Sequence, residues 1–324
     1  MTTLAAQIRG SLTGGDGVAR RLARNGLAAF LVYLAGHGLA FLTQLTIARV
    51  LGASSYGIYA YVVAWISVAT YVAMLGQNIA LLRFVPAYHS ARAWALLHGV
   101  IRHAERHVAV VSALLMLLGA AVVAAVGARL TPELRTAFFV ALPLILLWSL
   151  TTIRCAVVRC FGGVVSALVP IRIVREGVVF VGVAIIAVTG LGVTGFNPDA
   201  PARAETILAI AVAGSLLALA AASASLRRRR PAEITSTSPR YDAAVWRAAA
   251  LPLLVVSAVE ALFDKTGVLV LGLLGNNQDA GVFALVFNIS LLVLLPRTAI
   301  DTLFAPMIAR LHAEGGRAEL QAAT

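Results

Sequence analysis

Eight apolar runs, each long enough to cross a bilayer, constrain this chain more than any other feature. A spanning helix needs about 20 predominantly apolar residues. Runs near 27–48, 58–80, 108–128, 137–153, 164–190, 204–226, 248–273 and 281–302 qualify. Only 12% of the residues are charged and 60% are hydrophobic, whereas a soluble domain carries roughly 25% charged residues. Mean hydropathy is +0.91. So few charges cannot cover a water-facing surface of this size. The expected fold is an all-α polytopic membrane protein, because in lipid every backbone group must be satisfied internally.

The formal net charge is +12, but its distribution excludes a nucleic-acid surface. The arginines form short clusters between apolar runs and leave no basic stripe for phosphates to follow. Inter-run segments alternate in charge instead. The segments sharing a side with the N-terminus hold 21 Lys and Arg residues, and the opposite segments hold 4. The positive-inside rule then puts both termini in the cytoplasm. The expected layout is a basic N-terminus over 1–26, six spans over 27–226, a basic linker over 227–247, two spans over 248–302, and a tail over 303–324.

A repeat supports the division into six spans plus two. After the first span the chain reads LGASSYGIYA, Leu51 to Ala60, and after the seventh LGNNQDAGVFA, Leu274 to Ala284. The second span ends in RFVPAYH around Phe84, and the eighth in LFAPMIARLH around Phe304. The two offsets are 223 and 220 residues. Spans seven and eight therefore read as a second copy of spans one and two, an internal duplication of the kind common in transporters.

The same residues carry a family resemblance. Thr46 to Tyr61 (TIARVLGASSYGIYAY), Arg83 to Pro86 and Asp264 to Ala284 resemble the conserved segments of polysaccharide and O-antigen flippases. Those proteins belong to the multidrug/oligosaccharidyl-lipid/polysaccharide exporter superfamily. The resemblance implies a protein of the bacterial inner membrane, not an enzyme, that moves undecaprenyl-diphosphate-linked oligosaccharide across the membrane by alternating access. Lipid-linked oligosaccharide, membrane lipids and other polysaccharide-assembly proteins are the implied partners, and no cofactor is implied. Family members have two six-helix lobes, so this chain reads as a first lobe and the first two helices of a second. Thr43 and Gln44 stand where the related lipid II flippases tend to carry a charged pair, which favours the polysaccharide branch. Alternatives are a small-molecule exporter of the same superfamily, or an inactive fragment or scaffold of a glycan-assembly complex.

Ionisable residues inside spans mark candidate sites, since each costs about 2.5–3.5 kcal/mol at mid-membrane. Glu260 and Asp264 share a face of the seventh span at i,i+4, with Lys265 beside them. They are candidates for ion coupling, and Lys265 for diphosphate attraction. In the fifth span Arg172 and Arg175 are candidate phosphate ligands, because guanidinium binds phosphate oxygens bidentately. Glu176 is placed to pair with Arg172 at i,i+4. Arg172 lies inside the bilayer if that helix begins near Ser166, and at its surface if the helix begins near Gly177. Arg49 and Arg83 stand at span ends, where snorkelling competes with ligand binding. His37, between Gly36 and Gly38, is a titratable or packing histidine equivalent in the repeat to Glu260. His98, His103 and His107 read as part of a solvated amphipathic surface helix. Cys155 and Cys160 read as inert thiols. The chain contains no phosphate-binding glycine loop and no nucleophile motif.

Overall fold

The computed structural model describes residues 17–189 and 203–290. Every regular element among them is helical. The Phe304 segment, the tail, Arg9 and the eighth span beyond Ser290 lie outside the described residues.

The first two spans form one helical stretch, Gly17–Met74, broken at Gly52, where φ is 72° and ψ is 172°. The stretch Gly26–Ser90 is 65 residues long and apolar. At 1.5 Å per residue it would be roughly three times the bilayer core, so it must fold back. The Tyr56 hydroxyl reaches Gln44 across the break at 3.1 Å, so the two halves run side by side. The second span continues through Gln77–Ser90. The third is Trp94–Val126, and the fourth is Pro132–Ala141 followed by Pro143–Cys160. The fifth comprises Val164–Val169, a π-helical turn at Pro170–Val174, and Arg175–Thr189. The sixth is Ala204–Arg229, and after a short helix at Ala232–Ser236 the seventh is Ala243–Leu273 and the eighth begins at Asn277–Ser290. Trp94–Arg129, Pro132–Cys160 and Ala204–Arg229 also meet the length and hydropathy expected of membrane spans.

Several hydroxyls within these helices are satisfied locally, as lipid demands. Thr43, Ser67, Thr70, Ser149, Thr151 and Ser215 each donate to the carbonyl four residues back. The fourth span starts on Thr131, whose hydroxyl accepts the Leu134 N–H at 3.3 Å, with Pro132 in the first turn. Arg154 ties the third, fourth and sixth spans together. It meets Glu105 at 2.9 Å and also bonds Ser223.

The two repeat motifs adopt matching backbones. Gly275 has φ 77°, the counterpart of Gly52, and both open a helix in the left-handed region that glycine tolerates. The motifs also pack on each other reciprocally. A Cβ on Gly57 would sit 1.7 Å from the Asn277 carbonyl oxygen, and one on Gly281 would sit 2.6 Å from that of Ala53. Gly57 and Gly281 are equivalent in the repeat, as are Ala53 and Asn277. Such mutual contact of like with like is the signature of a local two-fold. The seventh span lies along the second, burying Trp246, Ala250, Ser257, Ala261 and Val268 at four- and seven-residue spacing. Gly76 meets Ala250 at one end and Gly272 meets the Tyr61 ring near the other.

The linker after the sixth span is strapped to the third. The Arg240 N–H donates to the Ala95 carbonyl at 2.9 Å, and His98 Nδ1 bonds the Thr237 carbonyl at 2.8 Å. His103 and His107 also face protein: their rings stack on each other, and His103 lies against the Trp246 ring of the seventh span. The expected solvated surface helix is therefore corrected. The third span runs unbroken from Trp94, and its polar first turns are covered by the linker and the seventh span.

Candidate functional site

The fifth span places two guanidinium groups inside the bundle. It begins at Val164, so Arg172 lies about 12 Å along it and Arg175 about 16 Å, at 1.5 Å per residue. The helix therefore starts before Arg172, as in the earlier of the two starts open from sequence. Gly36 of the first span makes room for Arg172: a Cβ there would stand 2.6 Å from the Cβ of Arg172. The Arg172 guanidinium lies 5.4 Å from the Tyr33 ring centroid. Tyr33 in turn lies against His37, ring to ring at 4.0 Å, and its carbonyl bonds His37 Nδ1 at 2.9 Å. His37 is thus a packed, bonded histidine beside Arg172.

Arg175 occupies the next turn, and its chemistry differs. Its Nε and Nη2 both donate to Glu176 Oε1, at 3.0 and 2.7 Å. The expected pairing of Glu176 with Arg172 does not form. The π-turn at Pro170–Val174 adds residues to one turn and removes the i,i+4 stacking on which that expectation rested. Arg175 also lies 5.2 Å from the Trp148 ring centroid. Trp148 Nε1 donates to Ser215 Oγ at 2.9 Å. Trp148, Thr151, Thr152, Arg175 and Ser215 line a small cavity between the fourth, fifth and sixth spans.

The polar layer extends to the repeat hairpin. Tyr59 is buried beside Gln44, near Arg175 and Glu176. The Tyr56 hydroxyl donates to Gln44 and lies near Asn288 of the eighth span. Sequence reasoning did not single out Tyr33, Tyr56, Tyr59, Trp148, Ser215 or Asn288. The available signal was a polar or amphipathic residue inside each apolar run, with nothing to say which way it faced.

The remaining candidates are not drawn into this layer. Arg49 and Arg83 are exposed, and Arg83 lies over the ring of its own neighbour Phe84 at 5.7 Å. In the seventh span Lys265 follows Ala261 by one helical turn and shares its packed side, half-buried. Glu260 and Asp264 precede those two residues by one position, about 100° around the helix, and are exposed. Among the described residues the ion pairs are Arg154–Glu105, Arg175–Glu176 and Arg203–Glu205. Cys155 is buried and unoxidised.

The arrangement can hold an anion beside Arg172, which has no carboxylate partner among the described residues. Arg175 is partly neutralised by Glu176.

Comparisons with known proteins agree with this architecture. One solved structure, described as the inward-facing conformation of a multidrug resistance MATE family transporter of the MOP superfamily, has a TM-score of 0.60 at 14% identity, over 86% of this chain and 62% of its own. A second, described as protein A, has a TM-score of 0.58 at 16% identity, over 91% of this chain and 66% of its own. This chain therefore spans less than two thirds of the length of either. No curated protein matches it significantly. Residues 22–312 match the family model for polysaccharide biosynthesis proteins, and the chain belongs to that family of multi-spanning membrane proteins.

Proposed function

We propose that this protein takes part in moving a lipid-linked oligosaccharide across the bacterial inner membrane by alternating access, for polysaccharide or O-antigen assembly. Its diphosphate would be held in the layer around Arg172 and Arg175, with both termini cytoplasmic. The observation that carries the reading is Arg172. It is a half-buried guanidinium beside the Tyr33 ring, seated on a glycine-cleared site, with no carboxylate partner among the described residues. An unpaired cation in a bundle is costly unless an anion or water reaches it. A diphosphate supplies paired acceptor oxygens of matching geometry.

Complementation of a flippase-deficient strain, scored for surface polysaccharide, tests it. The full chain is compared with Arg172→Ala, Arg172→Lys and Arg175→Ala at equal membrane abundance. Arg172→Ala should lower export roughly tenfold or more, and Arg172→Lys should retain a part, since lysine keeps the charge and loses the fork. Unchanged export in Arg172→Ala would remove the site.

A further inference from the structure

The transport reading leaves His103 and His107 unused, although they sit at the contact between the third and seventh spans. Their rings stack with centroids 5.4 Å apart. The Trp246 ring lies 5.4 Å from that of His103. Trp246 is fully buried and donates Nε1 to the Tyr88 hydroxyl at 3.1 Å. His103 Nε2 and His107 Nδ1 are sealed from solvent and have no hydrogen-bond partner among the described residues. Orphaned buried polar atoms are rare and call for an explanation.

The surrounding charge is one-sided. Arg247 of the seventh span bears electrostatically on both rings. The second span contributes Tyr88, and the linker contributes Arg240, whose carbonyl abuts Gly99 one turn away. Arg102 and Arg106 flank the pair on the third span and are exposed. Glu105 is held by Arg154 of the fourth span, and Asp242 is exposed at the head of the seventh. No acceptor among the described residues awaits a second imidazole N–H.

We propose that His103 and His107 form a proton-operated latch. Neutral, the stacked rings close the contact, His103 against Trp246 and His107 behind it, and hold the seventh span to the third. When either ring takes a proton, it places a positive charge against Arg247 and its histidine neighbour with no anion to meet it, and the contact loosens. Histidine is the side chain whose charge changes between about pH 5 and 8. The latch rests on the transport reading only for its purpose, which is to free the second repeat to move against the first six spans. Proton uptake and loosening need no substrate.

The test uses the purified full chain in lipid nanodiscs, with Cys155 and Cys160 replaced by Ala and spin labels at Val110→Cys and Val245→Cys. Between about pH 7.5 and about pH 5.5 the longer-distance population should rise roughly threefold or more. His103→Gln/His107→Gln should abolish the change. A second reading keeps the test independent of the labels: in a protein retaining Trp246 as its sole tryptophan, emission should fall over the same range, because protonated imidazole quenches indole. His103→Gln should remove that fall. A distance distribution identical at both pH values, or a response that survives the double substitution, overturns the latch. Arg172→Ala should keep the pH response while losing export, so failure of the latch and failure of the substrate site are read separately.

Discussion

The hairpin of spans one and two and the hairpin of spans seven and eight share one motif and differ in what fills the space between their arms. In the first, Gln44 accepts the Tyr56 hydroxyl and lies beside that of Tyr59. The positions equivalent to Gln44 and Tyr59 in the second are Gly267 and Phe283, and there the ring closes on the glycine: a Cβ on Gly267 would stand 2.2 Å from Phe283 Cε1. The same backbone pair is therefore polar in one copy and apolar in the other. The motif fixes the turn at Gly52 and Gly275 and the crossing at Gly57 and Gly281. It leaves the chemistry of the arms free. The first copy has become part of a polar layer reaching Arg175. The second copy carries its charges, Glu260 and Asp264, on an exposed flank.

The sharpest way to break this comparison is at the crossing. In Gly57→Leu the new side chain meets backbone, which cannot rotate aside, and overpacking of this kind costs about 1–3 kcal/mol or more. Thermal unfolding in detergent should fall by several degrees, about 2–4 °C per kcal/mol for a protein of this size. Gly38→Leu is the control, because nothing lies within 4 Å of a Cβ there. Equal melting of the two variants would show that the reciprocal contact does not hold the hairpins together.

The next effect tests whether the polar lining matters. Tyr59→Phe gives the first hairpin the aromatic of the second and takes from Gln44 the hydroxyl that lies beside it. A buried hydrogen bond contributes about 1 kcal/mol, and an unsatisfied group costs about 1–3 kcal/mol. The double change Tyr59→Phe/Gln44→Leu removes both polar groups and should recover part of the loss. A double variant that melts below the parent by the full sum of the Tyr59→Phe and Gln44→Leu losses would mean that Gln44 and Tyr59 do not act as a pair.

Much of this was legible in the sequence, for physical reasons. A run of about 20 apolar residues leaves few alternatives to a spanning helix, so the spans could be read directly. The repeat was legible because Gly52 and Gly275 answer a backbone demand that only glycine meets cheaply. The start of the helix that carries Arg172 was open between two positions, and it begins at Val164. Its pairing was misjudged because i,i+4 logic assumes an α-helix, and a π-turn of five residues breaks that register. His103 and His107 were misread for a different reason. Their partner, Trp246, lies more than a hundred residues away, and local periodicity carries no information about such a contact. The tyrosines around Gln44 escaped notice because an amphipathic ring in an apolar run looks the same facing lipid or protein.

The smallest expected effect falls on the second hairpin's charges. Glu260 and Asp264 have no ion-pair partner among the described residues and are exposed. Neutralising them as Glu260→Gln/Asp264→Asn removes no contact, and in detergent the melting temperature should move by less than about 1 °C, since an exposed, unpaired charge contributes little. A drop of several degrees would reveal a cationic partner against that flank. In the bilayer the sign should reverse, because each charge disfavours insertion by about 2.5–3.5 kcal/mol when it faces lipid. The double variant should then insert at least as well as the parent. If export fails in Asp264→Asn while insertion is normal, the exposed flank is a coupling surface. If export persists, the work of ion coupling belongs to the first hairpin's side of the comparison, where Glu176 and His37 lie.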